Sequence, residues 1–255
     1  MRKKLYLRQS CPKDLQKILD FYDNNKHPFI AGRDRETMEE RVDAGAVTML
    51  QDDNGDIQAI SIAYPVTAKD ENGDEAHKWT EIGSTHVLMS NMGLFDVMVG
   101  AQLLNAFLLE PPEDRFVIEI DPTNLHSKHV FKKLGCADYD NPPEDMVKGV
   151  NGILAPEDAN KGVDWLYADH EMMPALAKKF LDRIDNPVIT NKATGEEYEL
   201  DVSESPLGKH FVATLEKLAK KDYGQGNAPA NDKDKKQDAD PGTKKARNNL
   251  FHGPK

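Results

Sequence analysis

Residues 116–135, FVIEIDPTNLHSKHVFKKLG, constrain the fold more than any other stretch of the chain. Phe116 to Ile120 are mostly apolar, as in a short strand buried on both faces. Asn124 can offer its side-chain oxygen to the free N–H groups of a following helix, whose inner side would carry Val130, Phe131 and Leu134. Gly135 suits the left-handed position that closes such a helix. A doubly buried strand followed at once by an amphipathic helix belongs in a sheet with helices packed on its faces.

The residues before this segment alternate in the same way. Leu5 to Arg8 read as a short strand, and Pro12 opens a helix with Leu15, Ile18, Leu19 and Tyr22 on one face. A second short helix falls at Glu36 to Ala44. Two β-rich runs, Val47 to Gln51 and Ile57 to Tyr64, flank Asp53-Asn54-Gly55-Asp56, and the Asn-Gly pair predicts a hairpin because both residues accept positive φ. Asp52, Asp53 and Asp56 lack the spacing and closing Glu of a twelve-residue calcium loop, so they read as turn residues. A polar loop at Asp70 to Lys78 leads to a longer strand, Trp79 to Met89, and a helix from about Val99 to Leu109. Further strands are expected at Cys136 to Tyr139 and Val163 to Ala168. The resulting class is α/β (α+β), with a mixed central sheet flanked by helices.

Beyond Asp169 the pattern changes. Met173, Leu176, Phe180 and Ile184 share a helix face, and Pro187 to Thr190 and Glu197 to Val202 bracket a turn at Gly195. Another helix starts at Pro206, capped by Ser205, with Leu207, Phe211, Leu215 and Leu218 aligned. The expected organisation is a main domain at 1–169, a helix-hairpin-helix extension at 170–221 that packs on it or on a partner, and a polar tail at 222–255. The composition of that tail cannot offset the entropy of ordering.

Several functions are excluded by composition. With 33 Lys and Arg against 44 Asp and Glu, the net charge of -11 argues against nucleic acid as a partner, since phosphate binding needs clustered cations. No apolar run approaches the ~18 residues of a membrane span. Two cysteines, Cys11 and Cys136, cannot build a disulfide scaffold or the usual structural zinc site, and both are expected as small buried hydrophobes. His126 and His129 lie three apart on the expected helix with no third ligand suggested nearby, so no metal site is expected. The reading is a soluble, cytoplasmic protein.

The 116–135 segment resembles the strand-helix end of the GNAT N-acetyltransferase superfamily. In that family an Asn follows the fifth strand, and the next helix ends in an aromatic residue, two polar residues, Leu and Gly. Asn124, Phe131, Leu134 and Gly135 take those places here. The resemblance implies a GNAT-like fold and an acyl-CoA-dependent N-acyltransferase, with acetyl-CoA as cofactor held between splayed fourth and fifth strands.

The family also carries a loop of the form Arg or Gln, two residues, Gly, one residue, Gly or Ala, ahead of a helix that grips the cofactor pyrophosphate. Aligned on Gly100-Ala101-Gln102-Leu103-Leu104, this chain has Gly100 as the last glycine but Met98 and Phe95 at the earlier positions, a degenerate match. Asp96 adds a negative charge there. The cofactor contacts implied are Met89, Val99, Gly100, Ala101, Asn124 and Phe131. Met89, Met92 and Met98 flank the turn and either line a pantetheine slot or fill core gaps.

Two departures concern the chemistry. In many members the aromatic is a Tyr that protonates the departing thiolate, whereas Phe131 has no hydroxyl. The base that deprotonates the amine, commonly a Glu or His near the fourth strand, points to His86 and Glu81 as catalytic residues. They lie five positions apart, hence on opposite faces of a regular strand, and His86 has the more suitable ordinary pKa. The acceptor would be an amine-bearing small molecule or protein. The alternative is a catalytically inactive GNAT-like module in a larger assembly, with a protein partner for the C-terminal extension and tail.

Overall fold

The computed structural model describes residues 2–69, 72–159, 161–204 and 210–221. The expectations for Ser205, Pro206 and Leu207, and for the tail at 222–255, lie outside them.

The strands are β1 (Lys3–Gln9), β2 (Val47–Asp52), β3 (Ile57–Lys69), β4 (Glu75–Val87), β5 (Arg115–Ile120), β6 (Ala137–Asp138), β7 (Asp164–Ala168), β8 (Val188–Thr190) and β9 (Glu197–Asp201). The helices are α1 (Leu15–Asn24), α2 (Arg35–Asp43), α3 (Leu94–Leu109), α4 (Leu125–Leu134), α5 (Glu144–Gly152), α6 (Met173–Asp185) and α7 (Phe211–Ala219). Among the described residues the strands form one sheet in the order β6-β7-β5-β4-β3-β2-β1-β9-β8. β1 to β4 are antiparallel neighbours, β5 joins β4 in parallel, and β9 joins β1 in parallel.

Each face of the sheet buries its own apolar layer. On one side, Leu5, Leu50, Ala59 and Ile118 meet α3, α6 and α7. On the other, Met49, Ile60, Ile62 and Tyr64 meet α1 and α2, and Val66, Trp79 and Val117 meet Met146 and Val150 of α5. α3 is buried around most of its circumference because the sheet covers one side and α6 the other.

Local sequence chemistry decides most boundaries. Gly55 turns at φ +81 between β2 and β3, and the Asp52 carboxylate holds the turn by accepting the Asn54 and Asp56 N–H groups at 2.9 Å each. Asn124 caps α4 by accepting the Ser127 N–H at 3.2 Å, and Gly135 closes it at φ +119. Both were legible beforehand.

Three features differ from expectation. α3 begins at Leu94 rather than near Val99, because Gly93 at φ +69 ends the preceding loop there. α5 was not foreseen. Cys136 is buried, which pushes its thiol up to about 12, whereas Cys11 is exposed.

The segment after Asp169 packs on the main domain and also extends its sheet. Tyr198 and Leu200 of β9 register with Lys3 and Leu5, and a Cβ added to Gly100 of α3 would lie 3.7 Å from Leu176 and 3.8 Å from Phe180 of α6. Among the described residues, no helix is long and apolar enough to cross a membrane.

Candidate functional site

The parallel ladder between β4 and β5 is short. It pairs Trp79 with Arg115, Thr80 with Phe116 and Glu81 with Val117, and stops. Beyond Glu81 the strands part, and a cavity of about 630 Å³ opens between them, within the range of small-molecule sites. One side is formed by the start of α3 and by α4, the other by residues 27–33 and by Leu154, Asp158 and Lys161 to Val163.

The wall contributed by β4 is shaped by a bulge. Ile60 pairs with His86 and Ile62 with Gly83, so Ser61 alone stands opposite Ser84 and Thr85. Ser84 takes φ +49, and its hydroxyl shares a 3.0 Å hydrogen bond with that of Tyr64. The extra residue shifts the strand's alternation, so Glu81 and His86 both line the cavity. The expectation that only one could face it assumed a regular strand.

Their surroundings differ. Glu81 is locked to Arg33, whose guanidinium nitrogen donates to both carboxylate oxygens at 3.0 and 3.1 Å, with each side chain 4% exposed. The same guanidinium stacks over the Tyr64 ring at 4.7 Å from its centroid. His86 packs edge-on against Phe21 at 5.3 Å and beside His27 at 5.5 Å. Burial, and then the His27 charge, lower its pKa, which keeps the ring neutral at neutral pH.

A third group, missed in the sequence, is Glu119 of β5. Burial pushes its pKa up to about 7, with Glu81 adding to the effect and Arg33 opposing it, and its Oε2 is buried without a hydrogen-bond partner among the described residues. The signal was present in principle: a lone acid inside the apolar strand FVIEI is either satisfied or functional.

The opposite wall holds the start of α3. Its N-cap, Gly93, makes no side-chain capping bond, and a Cβ placed there would meet nothing within 4 Å. Asn91 and Gly93 both hold left-handed φ, +61 and +69, two residues apart. Val99, Gly100 and Ala101 lie further along α3, buried in the core and away from the cavity, with Gly100 against α6. Met89, Asn124 and Phe131 do line the cavity, whereas Met92 and Met98 fill the core. Asp96, in the first turn of α3, is neutralised by Lys133 of α4.

No family model matches this chain, and no curated protein matches it. Solved structures do. An acetyltransferase of the GNAT family from Streptococcus pneumoniae aligns at 14% identity, over 65% of this chain and 99% of that one, with TM-score 0.42. A Mycobacterium tuberculosis protein in complex with CoA aligns at 15% identity, over 64% and 98%, with TM-score 0.47. Arabidopsis thaliana Naa50 with a CoA-containing bisubstrate analogue aligns at 14%, over 65% and 99%, with TM-score 0.45.

The mixed sheet with helices on its faces and the parting of β4 from β5 agree with what the resemblance of the 116–135 segment implies. The architecture is a mixed central sheet with helices packed on both faces. His126 reaches the cavity rim beside Phe95, at 5.9 Å between rings, and no cluster of three metal-binding side chains occurs among the described residues.

Proposed function

We propose that this protein is an acyl-CoA-dependent N-acyltransferase that moves an acetyl group to an amine. One observation carries the reading: the β4–β5 ladder ends at Glu81 and Val117, and the cavity beyond it has the uncapped start of α3 in its wall. The free N–H groups there, and the backbone opened by Asn91 and Gly93, suit a pyrophosphate. The parted edge of β4 offers backbone groups to the amides of pantetheine, and Met89, Asn124 and Phe131 supply the facing wall. Acetyl-CoA would bring an activated thioester.

His86, held neutral, takes a proton from the attacking amine directly or through water, while Glu81 holds Arg33 in place. In this reading residues 1–169 carry the chemistry, 170–221 brace α3 and β1, and the tail at 222–255 is available to a protein partner in the cytoplasm.

Calorimetry with acetyl-CoA on the full chain tests the cofactor directly. Saturable binding is expected; no heat at millimolar cofactor, with the protein folded, would remove the proposal. His86→Ala should then lower turnover by roughly 10²- to 10⁴-fold with acetyl-CoA affinity unchanged. Unaltered turnover would rule out His86 as the base. Binding of acetyl-CoA without turnover on any amine would favour the inactive-module alternative.

A further inference from the structure

We propose that Glu119 seats the ammonium group of a compact primary amine, and that the bonded loops at 27–33 and 154–163 bar polypeptide acceptors from this end of the cavity. This deepens the transferase reading and rests on it for the acyl donor only.

Glu119 sits on β5 two residues past Val117, where the ladder with β4 has ended, and its side chain lines the cavity. The charges around it are already paired. Glu81 is bonded to Arg33 at 3.0 Å, and Asp158 holds Lys161 and also accepts the Gly32 N–H at 2.7 Å. Among the described residues Glu119 Oε2 has no partner, and two further cavity-lining side chains also keep a buried polar atom without one: Arg33 at Nε, and His86, 9% exposed, at Nδ1. A half-buried carboxylate beside a second carboxylate is costly to ionise until a cation reaches it. An ammonium, with three donors and no acceptor, fits the vacancy.

The loops explain why the acceptor is small. They leave the ends of α1 and α5 and meet at Gly32, whose carbonyl accepts the Ala155 N–H at 3.1 Å. A Cβ on Gly32 would lie 3.4 Å from that of Ala155, so the loops touch. Both loops line the cavity, so their contact limits the width left beside it for an extended peptide. The transfer balances as R–NH3+ plus acyl thioester giving the amide, the free thiol and one proton. The C–N bond forms as the C–S bond breaks, one amine proton goes to the sulfur, and the other passes by way of His86 to solvent.

The probes are n-propylamine and the tetrapeptide Ala-Val-Asn-Ala, each titrated into the full chain with and without acetyl-CoA. Propylamine should bind the wild type more tightly at pH 8 than at pH 6, since the amine stays charged while Glu119 ionises among Glu81, Arg33, Asp158 and Lys161. Glu119→Gln should weaken it at least tenfold at pH 8, abolish that pH dependence and leave acetyl-CoA affinity intact. Equal binding to variant and wild type, or no propylamine binding to the wild type, overturns the seat. The tetrapeptide should bind only once Asp158→Ala loosens the loops; wild-type binding as tight as that of propylamine overturns the exclusion. Glu119-dependent amine binding without acetyl-CoA binding would refute the transferase reading and leave the seat standing.

Discussion

Glu81→Ala should destabilise the fold by about 3–5 kcal/mol, the largest effect of any single substitution at the site. The loss does not come from the carboxylate's own contacts. It comes from Arg33, which is 4% exposed and stacked on Tyr64, and which would be left as a buried cation without its counter-charge. Urea unfolding should show a lower midpoint with an unchanged slope. Replacing both partners, Arg33→Met with Glu81→Leu, should recover most of the loss, because a buried pair contributes little net stability over apolar residues of similar size. A loss below about 1 kcal/mol for Glu81→Ala would mean that water reaches the pair, contrary to its burial.

Glu119→Gln should do the opposite and stabilise the protein above neutral pH. The carboxyl titrates near 7 in the fold against an ordinary 4.5, so the folded state binds the proton more tightly. Between those values the folded chain holds more protons than the unfolded one, and stability falls as pH rises through that window. At pH 8 the full penalty is present. The shift corresponds to about 3 kcal/mol, and the neutral amide, which lacks a partner of its own, should recover about 2 kcal/mol of it. Below pH 4.5 wild type and variant should have nearly equal stability. Thermal unfolding at pH 5 and pH 8 checks this: a variant no more stable than wild type at pH 8 would show that the carboxylate is already solvated. If the result stands, Glu119 is kept despite its cost to the fold, as residues that serve binding often are.

How far these features could be read beforehand depends on the range of the forces that make them. Asn124, Gly135 and the Asn54-Gly55 turn were legible because a cap or a tight turn is decided within three or four residues. The start of α3 was misplaced because Gly100 drew the alignment, whereas Gly93, seven positions earlier, carries the backbone conformation that ends the loop. α5 escaped notice because EDMVKGVNG has two glycines and only three large apolar residues, and it is held by packing of Met146 and Val150 against β3, β4 and β5. The bulge at Ser84 was not legible either. It exists only in the pairing with β3, yet it decides that His86 and Glu81 share one cavity. Arg33 and Glu119 belong to a loop and a strand far apart in sequence, so their meeting is a product of topology.

The parallel pairing of β9 with β1 bears on how the chain leaves the ribosome. β1 is made well before its outer neighbour β9, since the Arg2–Glu197 ion pair joins residues 195 positions apart. At roughly 5–20 residues per second, the outer edge of β1 waits about 10 to 40 s for its neighbour. Throughout that interval Leu5 and Leu7 belong to an edge that a second nascent chain can zip onto. Shielding that edge until β9 emerges is therefore what would guard the nascent chain against pairing with a neighbour.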